Sequence, residues 1–234
     1  MGKIYFIWNN TDCRVKNIRL AESIPIIRPE ERIKHIQIPG RDGDLTQLEG
    51  EDIYNPYIQT VSIQVMGADN VQDVYKWLRG SGYITFHGEP NRKQKARVIG
   101  AVTLKKFSNN IDTWVGETQF YCDPLKEAVT TEADIEVTES GTTVNNPGDV
   151  ASRPLIEITG SGDITISIGG NALILTDVES GTVIDSDMQL VTKNGIALRN
   201  IYTGKFPILQ PGENTIQFTG NISKLTITPR WRYL

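Results

Sequence analysis

Hydrophobic and polar residues alternate with a period of two through most of the chain, which predicts a protein built mainly from β-strands. Tyr57–Met66 shows the pattern best, because Val61, Ile63 and Val65 fall on one face and mostly polar residues fall on the other. Runs of β-branched and aromatic residues predict further strands at Lys3–Trp8, Arg32–Ile38, Tyr83–His87, Ala96–Phe107 and Trp114–Cys122.

An apolar stripe at helical spacing is formed by Val71, Val74, Tyr75 and Leu78. It predicts one helix over Asp69–Leu78, with the side chain of Asp69 or Asn70 capping its first turn and Gly80 ending it. Trp77 lies off this stripe, so it faces either another element of its own domain or a neighbouring subunit.

The second half of the chain differs in composition from the first. Residues 126–150 are poor in hydrophobic residues and predict a connector, and from residue 153 onward the alternation is almost purely that of strands. Up to residue 130 there are 17 Lys and Arg against 16 Asp and Glu, and beyond it 7 against 12. These changes predict two β-rich domains, at residues 1–130 and 131–234. The sequence leaves open which of them the last segment, Arg230–Leu234, packs on.

The most distinctive segment is Ile36–Leu45, in which an alternating strand runs into Pro39 and Gly40. Proline restricts the backbone and glycine permits left-handed geometry, so the charged pair that follows is held in a defined turn. We expect Pro39–Pro56 to form a long polar loop, which carries Gly40, Arg41, Asp42, Gly43, Asp44, Glu49, Glu51 and Asp52.

The order of several short motifs resembles the distal tail proteins of long-tailed, non-contractile phages. The motifs are Ile38-Pro39-Gly40-Arg41-Asp42-Gly43, Phe86 with Glu89-Pro90, Phe120-Tyr121-Cys122-Asp123-Pro124-Leu125, and Arg153-Pro154-Leu155-Ile156-Glu157-Ile158 followed by Gly160 and Gly162. The resemblance spans nearly the whole chain and depends on the ordered set. It implies a β-sandwich-like first domain with one α-helix and a second domain that is a galectin-like β-sandwich or jelly roll.

By the same resemblance, the protein is a structural hub of a phage or prophage tail. The first domains would form a homohexameric ring at the distal end of the tail tube. The implied partners are the major tail tube protein, the tail-tip or tail-associated hub protein, the tape-measure protein and receptor-binding proteins, with DNA only in transit. The resemblance implies a virion component that is made in the bacterial cytoplasm and that needs no cofactor.

Two clusters of opposite charge are the candidate subunit interface. A ring requires head-to-tail contacts, in which two different patches of one subunit meet. The acidic residues of the 42–52 loop are one patch, and the other consists of Arg92, Lys93, Lys95 and Arg97. The alternative for the basic cluster is a solvated hairpin tip without a partner.

The sequence contains little that indicates catalysis, and we expect no enzyme. His35 and His87 are the only histidines, and phosphate-binding, dinucleotide-binding and Gly-x-Ser-x-Gly motifs are absent. Asp42 and Asp44 could suggest calcium, but the loop lacks the ligand spacing of an EF-hand. Cys13 and Cys122 are expected to be reduced, and neither a signal peptide nor a membrane span is expected.

The alternative function is that of a host-surface adhesin which binds carbohydrate through its second domain. Sugar sites commonly stack a ring on an exposed aromatic residue, and Tyr202 and Trp231 are the candidates for this contact. The second domain has no histidine, so the galectin-type sugar motif is missing. The lectin-like fold would then serve as a scaffold.

Overall fold

A computed structural model describes residues 4–50 and 52–234. They form two compact units, one extending to Val129 and including Leu234, and the other comprising Thr130–Tyr233. Both units consist of curled, sandwich-like antiparallel sheets, and one α-helix occurs in the described part of the chain. The predicted mainly β fold with a single α-helix is therefore confirmed.

The first unit contains nine strands, a short 3₁₀ turn at Cys13–Lys16 and the helix α1 at Asp69–Trp77. The strands are β1 (Phe6–Trp8), β2 (Thr11–Asp12), β3 (Ile18–Leu20), β4 (Ile33–Gln37), β5 (Asp44–Leu48), β6 (Tyr57–Met66), β7 (Ser81–Phe86), β8 (Arg92–Ser108) and β9 (Ile111–Ala128). Seven of them form one sheet in the order β2-β1-β7-β8-β9-β6-β3, whereas β4 and β5 pair only with each other in the described residues.

Aromatic side chains fill the centre of the first unit. Phe120 contacts Phe6 and Trp8 with ring centroids 5.6 and 5.3 Å apart. Trp77 stacks on Phe6 at 5.6 Å, so this tryptophan packs within its own unit. Val71 and Val74 of α1 are buried in the same core, which confirms the apolar stripe of the helix. Buried aromatic rings contribute large apolar areas and orient one another by edge and offset contacts.

The start of α1 differs from the predicted side-chain cap. The N-cap residue is Ala68, which makes no side-chain cap, and its own N–H donates to the Asp112 carboxylate at 3.0 Å. Asn70 instead donates its side-chain amide to the Met66 carbonyl. A carboxylate from β9 therefore takes the role that the local sequence assigned to Asp69 or Asn70, because any acceptor placed by the fold can satisfy the free amides of a helix end.

The second unit contains nine further strands and no helix among its residues. They are β10 (Ile135–Val137), β11 (Thr142–Asn146), β12 (Leu155–Ile168), β13 (Asn171–Val178), β14 (Thr182–Asp185), β15 (Leu190–Lys193), β16 (Ile196–Ala197), β17 (Tyr202–Gly204) and β18 (Gly212–Thr228). The predicted connector is wrong in part, because β10 and β11 both pair with β18. Their hydrophobic residues are few, but backbone pairing on a neighbouring long strand holds them in place.

Bulges let two long strands serve both layers of the second unit. The pairing of β12 with β18 shifts register between Thr159 and Gly160 and again between Ser161 and Thr165. Before the first shift β12 also pairs with β14, and from Gly162 onward it pairs with β13. Bulges bend a strand, so one continuous strand turns from one layer into the other.

The final segment belongs to the second unit as far as Tyr233. The N–H of Trp231 donates to the Glu132 carboxylate at 3.0 Å, and Arg232 forms an isolated bridge with Val150.

Among the described residues, no helix combines the length and the apolar character that crossing a membrane would require.

Candidate functional site

The predicted polar loop after residue 39 is a β-hairpin, so that prediction is wrong. β5 pairs with β4 in the register Ile33↔Leu48, Ile36↔Leu45 and Gln37↔Asp44. Sequence analysis missed β5 because its only apolar residues, Leu45 and Leu48, are three positions apart and so do not form the every-second-residue pattern of a strand. The predicted Gly-bracketed turn forms the tip of this hairpin, where Gly40 and Gly43 have φ angles of +80° and +77°.

The β4–β5 hairpin exposes apolar residues on both of its faces. Leu48 lies opposite Ile33 on one face, and Leu45 lies opposite Ile36 on the other. Ile33, Leu45 and Leu48 are 40, 44 and 55% exposed, and no residue of either strand is buried. An isolated two-stranded hairpin is only marginally stable in water, so this one is suited to contact another surface.

The acidic candidates lie along one side of the hairpin. Asp42 is at its tip and Asp44 begins β5, and both are exposed. Glu49 donates its backbone N–H to the Arg32 carbonyl, which extends the hairpin beyond β5. Asp52 is exposed and has a positive φ of 56°. Glu51 lies outside the described residues.

The basic candidates lie within a strand, not on a solvated hairpin tip. Arg92, Lys93, Lys95 and Arg97 all belong to β8, which begins at Arg92. Gln94 and Ala96 between them are buried, so Lys93, Lys95 and Arg97 face outward from the sheet. The ammonium of Lys93 lies 5.2 Å from the centre of the Tyr83 ring, a cation–π contact that orients this lysine.

The outward face of this sheet forms a shallow groove of about 410 Å³ beside the basic residues. Tyr83 lies opposite Lys95 and Tyr121 lies opposite Arg97 in the strand register. Asp123 also lines the groove and is its one acidic residue. Sequence analysis missed both tyrosines, although the alternation of Tyr121 with buried Phe120 and Cys122 already places it outward.

The acidic and basic clusters are carried by two different sheets of the first unit. The hairpin forms one of these sheets, and β8 lies within the other. The basic residues lie together near the start of one strand, whereas the acidic residues lie at the two ends of β5. Pairing between the acidic cluster and the basic cluster stays a prediction.

Behind the basic residues lie largely buried polar side chains from β6, β8, β9 and the turn before β8. The Lys126 ammonium donates to the Glu89 carboxylate at 2.6 Å, and the lysine side chain is only 6% exposed. Tyr57 and Gln94 hydrogen-bond to each other. Burial raises the pKa of Tyr57 to about 12 and that of Cys122 to about 12, so both groups stay protonated at neutral pH.

The remaining candidates for chemistry are dispersed. His35 is exposed on the hairpin, and His87 Nε2 lies 3.1 Å from Ser23 Oγ. Asp42 and Asp44 belong to no cluster that could hold a metal, since the described residues contain no group of three or more His, Cys, Asp or Glu side chains suited to one. These positions offer no evident site for catalysis.

The aromatic residues of the second unit are poorly placed for stacking on a sugar. Trp231 and Tyr233 are buried, with 8 and 7% exposure. Tyr202 is half-buried and packs edge-to-face against Phe206 at 5.4 Å. Trp231 therefore does not present the open ring face that the adhesin hypothesis requires. Carbohydrate binding stays a prediction with no contact in its favour.

Comparison with known proteins finds matches among solved structures and none by sequence. No protein-family model matches the chain, and no curated protein is similar to it in sequence. The crystal structure of the SPP1 Dit (gp 19.1) protein superposes with a TM-score of 0.73 at 18% sequence identity, covering 99% of each chain. The chain has the fold of a phage distal tail protein. That solved protein is described as a paradigm of the hub adsorption apparatus in phages that infect Gram-positive bacteria. At this identity the match establishes the distal tail fold over both units.

Proposed function

We propose that this protein is the structural hub of a phage or prophage tail, located at the distal end of the tail tube. The observation that carries the proposal is the match of the whole chain, and not of one domain, to a distal tail protein of the SPP1 adsorption apparatus. A two-domain match over 99% of both chains requires the same succession of units in both proteins. Fold alone is shared by proteins of different function, so the surfaces must support the assignment as well.

In this proposal six copies form a ring through their first units, and the second units project outward. The exposed β4–β5 hairpin supplies one side of each subunit contact, and the basic face of β8 supplies the other. Opposite charges steer two copies together and set their register. The apolar hairpin residues contribute affinity, because they lose water when a second copy covers them.

The ring would join the major tail tube protein on one side to the tail-tip hub protein and receptor-binding proteins on the other. The tape-measure protein and then DNA would pass through its centre. A passage for DNA should not bind phosphates strongly, since such contacts are independent of sequence and would retain the strand. The first 130 residues are close to neutral, with 17 basic and 16 acidic side chains, which suits this role.

Native mass spectrometry over a range of concentrations, with negative-stain images of the largest species, tests the proposal. We expect a six-subunit species with a central hole. A chain that stays monomeric alone and with purified tail tube and tail-tip proteins would contradict the ring.

Charge reversal tests the proposed interface. Changing three basic residues to Glu at the start of β8 should shift the hexamer toward monomer at a given concentration: Arg92→Glu, Lys93→Glu and Lys95→Glu. The matched control makes the same change in net charge on β3 and around α1, through Arg19→Glu, Lys76→Glu and Arg79→Glu. Full ring formation by the β8 variant would refute the interface and leave the hub itself standing.

A further inference from the structure

The seven-stranded sheet of the first unit has an open edge along the second half of β8. β7 pairs with β8 only from Gln94 to Arg97, and Val98 donates its N–H to Gly80 just beyond. From Ile99 to Ser108 the described residues provide β8 with a single neighbouring strand, β9, and the pairing is regular from Thr103 to Lys106 with a register shift on either side. An edge of this length presents unpaired N–H and C=O groups, to which another strand can add.

The hairpin has the matching property. β5 pairs with β4 on one side, and in the described part of the chain it has no strand on its other side. Both strands of the hairpin lack a buried residue, so no side chain has to leave a core for β5 to bind elsewhere.

We infer that β5 of one copy adds as an eighth strand to the open edge of β8 in the next copy. The inference rests on the proposed hub function and specifies how its subunits bind each other. It makes the partner a second copy of this chain, held by backbone hydrogen bonds as in other cases of β-strand addition.

Charge selects β5 over β4 as the added strand. β8 carries six Lys and Arg and no Asp or Glu between Arg92 and Ser108. Bases lie at both ends of its open edge, with Arg97 at one end and Lys105 and Lys106 at the other. β5 likewise has acids at both ends, with Asp42 before it, Asp44 as its first residue and Glu49 after it. β4 instead carries Lys34 and no acid, so it would be repelled.

Charge also separates the β8 edge from a second open edge. β6 from Tyr57 to Val61 has β9 as its single neighbouring strand in the described residues, because β3 pairs only with Ile63–Val65. This part of β6 has no charged residue. It therefore offers the acids around β5 no counterpart.

Engineered disulfides test the inference directly. A disulfide forms only when two Cβ atoms lie about 3.5–4.5 Å apart, so it reports side-by-side strands. Thr46→Cys at the middle of β5 would be combined, one pair per variant, with Ala101→Cys, Thr103→Cys or Lys105→Cys on β8, all exposed positions. The native cysteines are both buried and give little background. The products are read on a non-reducing gel after mild oxidation.

We expect at least one of the three pairs to give a ladder of covalent oligomers that ends at the hexamer. The matched control is Thr46→Cys with Gln119→Cys, which is exposed on the same sheet face, but on β9 between β6 and β8. It should give several-fold less cross-linked product. A third variant, Thr46→Cys with Thr60→Cys, reports binding at the β6 edge.

The outcomes separate this inference from the hub proposal. A six-subunit ring in native mass spectrometry without any β5–β8 cross-link, or with a Thr46–Thr60 cross-link in its place, overturns the strand addition and leaves the hub standing. Cross-linked oligomers that never close at six support the strand addition and contradict the hexameric ring. If the disulfides form only within single chains, the addition of β5 to β8 of another copy is overturned.

Discussion

The ion pair between Lys126 and Glu89 gives an asymmetric stability prediction. The two partners differ in their surroundings, because the lysine side chain is 6% exposed and the glutamate side chain is 29% exposed. Removing the carboxylate therefore leaves a buried charge without a partner, whereas removing the lysine leaves a carboxylate that water can reach. We expect Glu89→Gln to destabilise the first unit more than Lys126→Met does.

The magnitude follows from the burial of the pair. Breaking a fully buried ion pair costs about 3–5 kcal/mol, because the remaining charge loses its solvation without compensation. Glu89 is partly hydrated, so we expect about 2–3 kcal/mol for Glu89→Gln. Lys126→Met keeps most of the packing of the lysine stem and should cost about 1 kcal/mol or less. The double variant should be more stable than Glu89→Gln alone, because it removes the unpaired charge.

Urea unfolding followed by tryptophan fluorescence measures these differences. Three of the four tryptophans, Trp8, Trp77 and Trp114, belong to the first unit, so the signal reports mainly on the unit that contains the pair. With a slope of about 1–3 kcal/mol per molar urea, a loss of 2–3 kcal/mol moves the midpoint by about 0.7–3 M. Equal losses for the two single variants, or a larger loss for Lys126→Met, would refute the reasoning from burial.

Three further predictions concern other parts of the chain. Burial raises the pKa of the Asp185 carboxyl, but hydrogen bonds from Arg230 and from the N–H groups of Met188 and Asp187 outweigh it, and the pKa is lowered. The stabilisation by the ionised Asp185 carboxyl is present above its unfolded-state pKa of about 3.9 and is lost as the pH falls through its folded-state pKa. In urea unfolding, the difference in stability between wild type and Asp185→Asn should therefore shrink below about pH 4. Burial also raises the pKa of both cysteine thiols. Neither Cys13 nor Cys122 should therefore react with a thiol reagent at pH 8 until the chain is unfolded. Fast labelling of the folded chain would contradict their burial. In hydrogen exchange, the backbone amides of the β4–β5 hairpin in the monomer should exchange much faster than those of β6 and β9. Ring assembly should protect β5 together with residues 99–108. A hairpin that is as protected as β9 in the monomer would show that it is stable alone.

The parts of the fold that sequence analysis predicted well are those with a buried face. Tyr57–Met66 was predicted with its observed bounds, because Val61, Ile63 and Val65 enter the core at every second position. The hairpin strand β5 was missed because none of its residues is buried, and β10 and β11 were missed because each of them buries a single apolar residue, Val137 and Val144 respectively. Backbone pairing holds such strands, and pairing leaves no hydrophobic pattern.

Sequence analysis could predict the two clusters of opposite charge at the candidate interface, but not how their residues are arranged in space. The acids and the bases could be counted along the chain, but the groove with Tyr83 and Tyr121 depends on the order of strands in the sheet. The open edge of β8 depends on where β7 ends relative to it, which no local pattern specifies. Charge is visible in a sequence, whereas strand neighbours that are distant in sequence are not.

The free energy available at one subunit contact has a consequence for how a ring would assemble. Ile33, Ile38, Leu45 and Leu48 are 38–55% exposed in the monomer. Fully burying an aliphatic side chain is worth about 1.5–3 kcal/mol, so covering the remaining exposed area of these four contributes about 3–5 kcal/mol. Association costs about 4–15 kcal/mol in lost translational and rotational freedom, so this apolar contribution alone does not hold two copies together. Strand addition supplies further backbone hydrogen bonds, each with a modest net contribution.

The last subunit to enter a ring makes two contacts but loses its translational and rotational freedom once, whereas a subunit that joins a dimer makes one contact for the same loss. We therefore expect native mass spectrometry to show monomer and hexamer with little dimer or trimer between them. A well-populated dimer at low concentration would mean that a single contact is stronger than these surfaces allow.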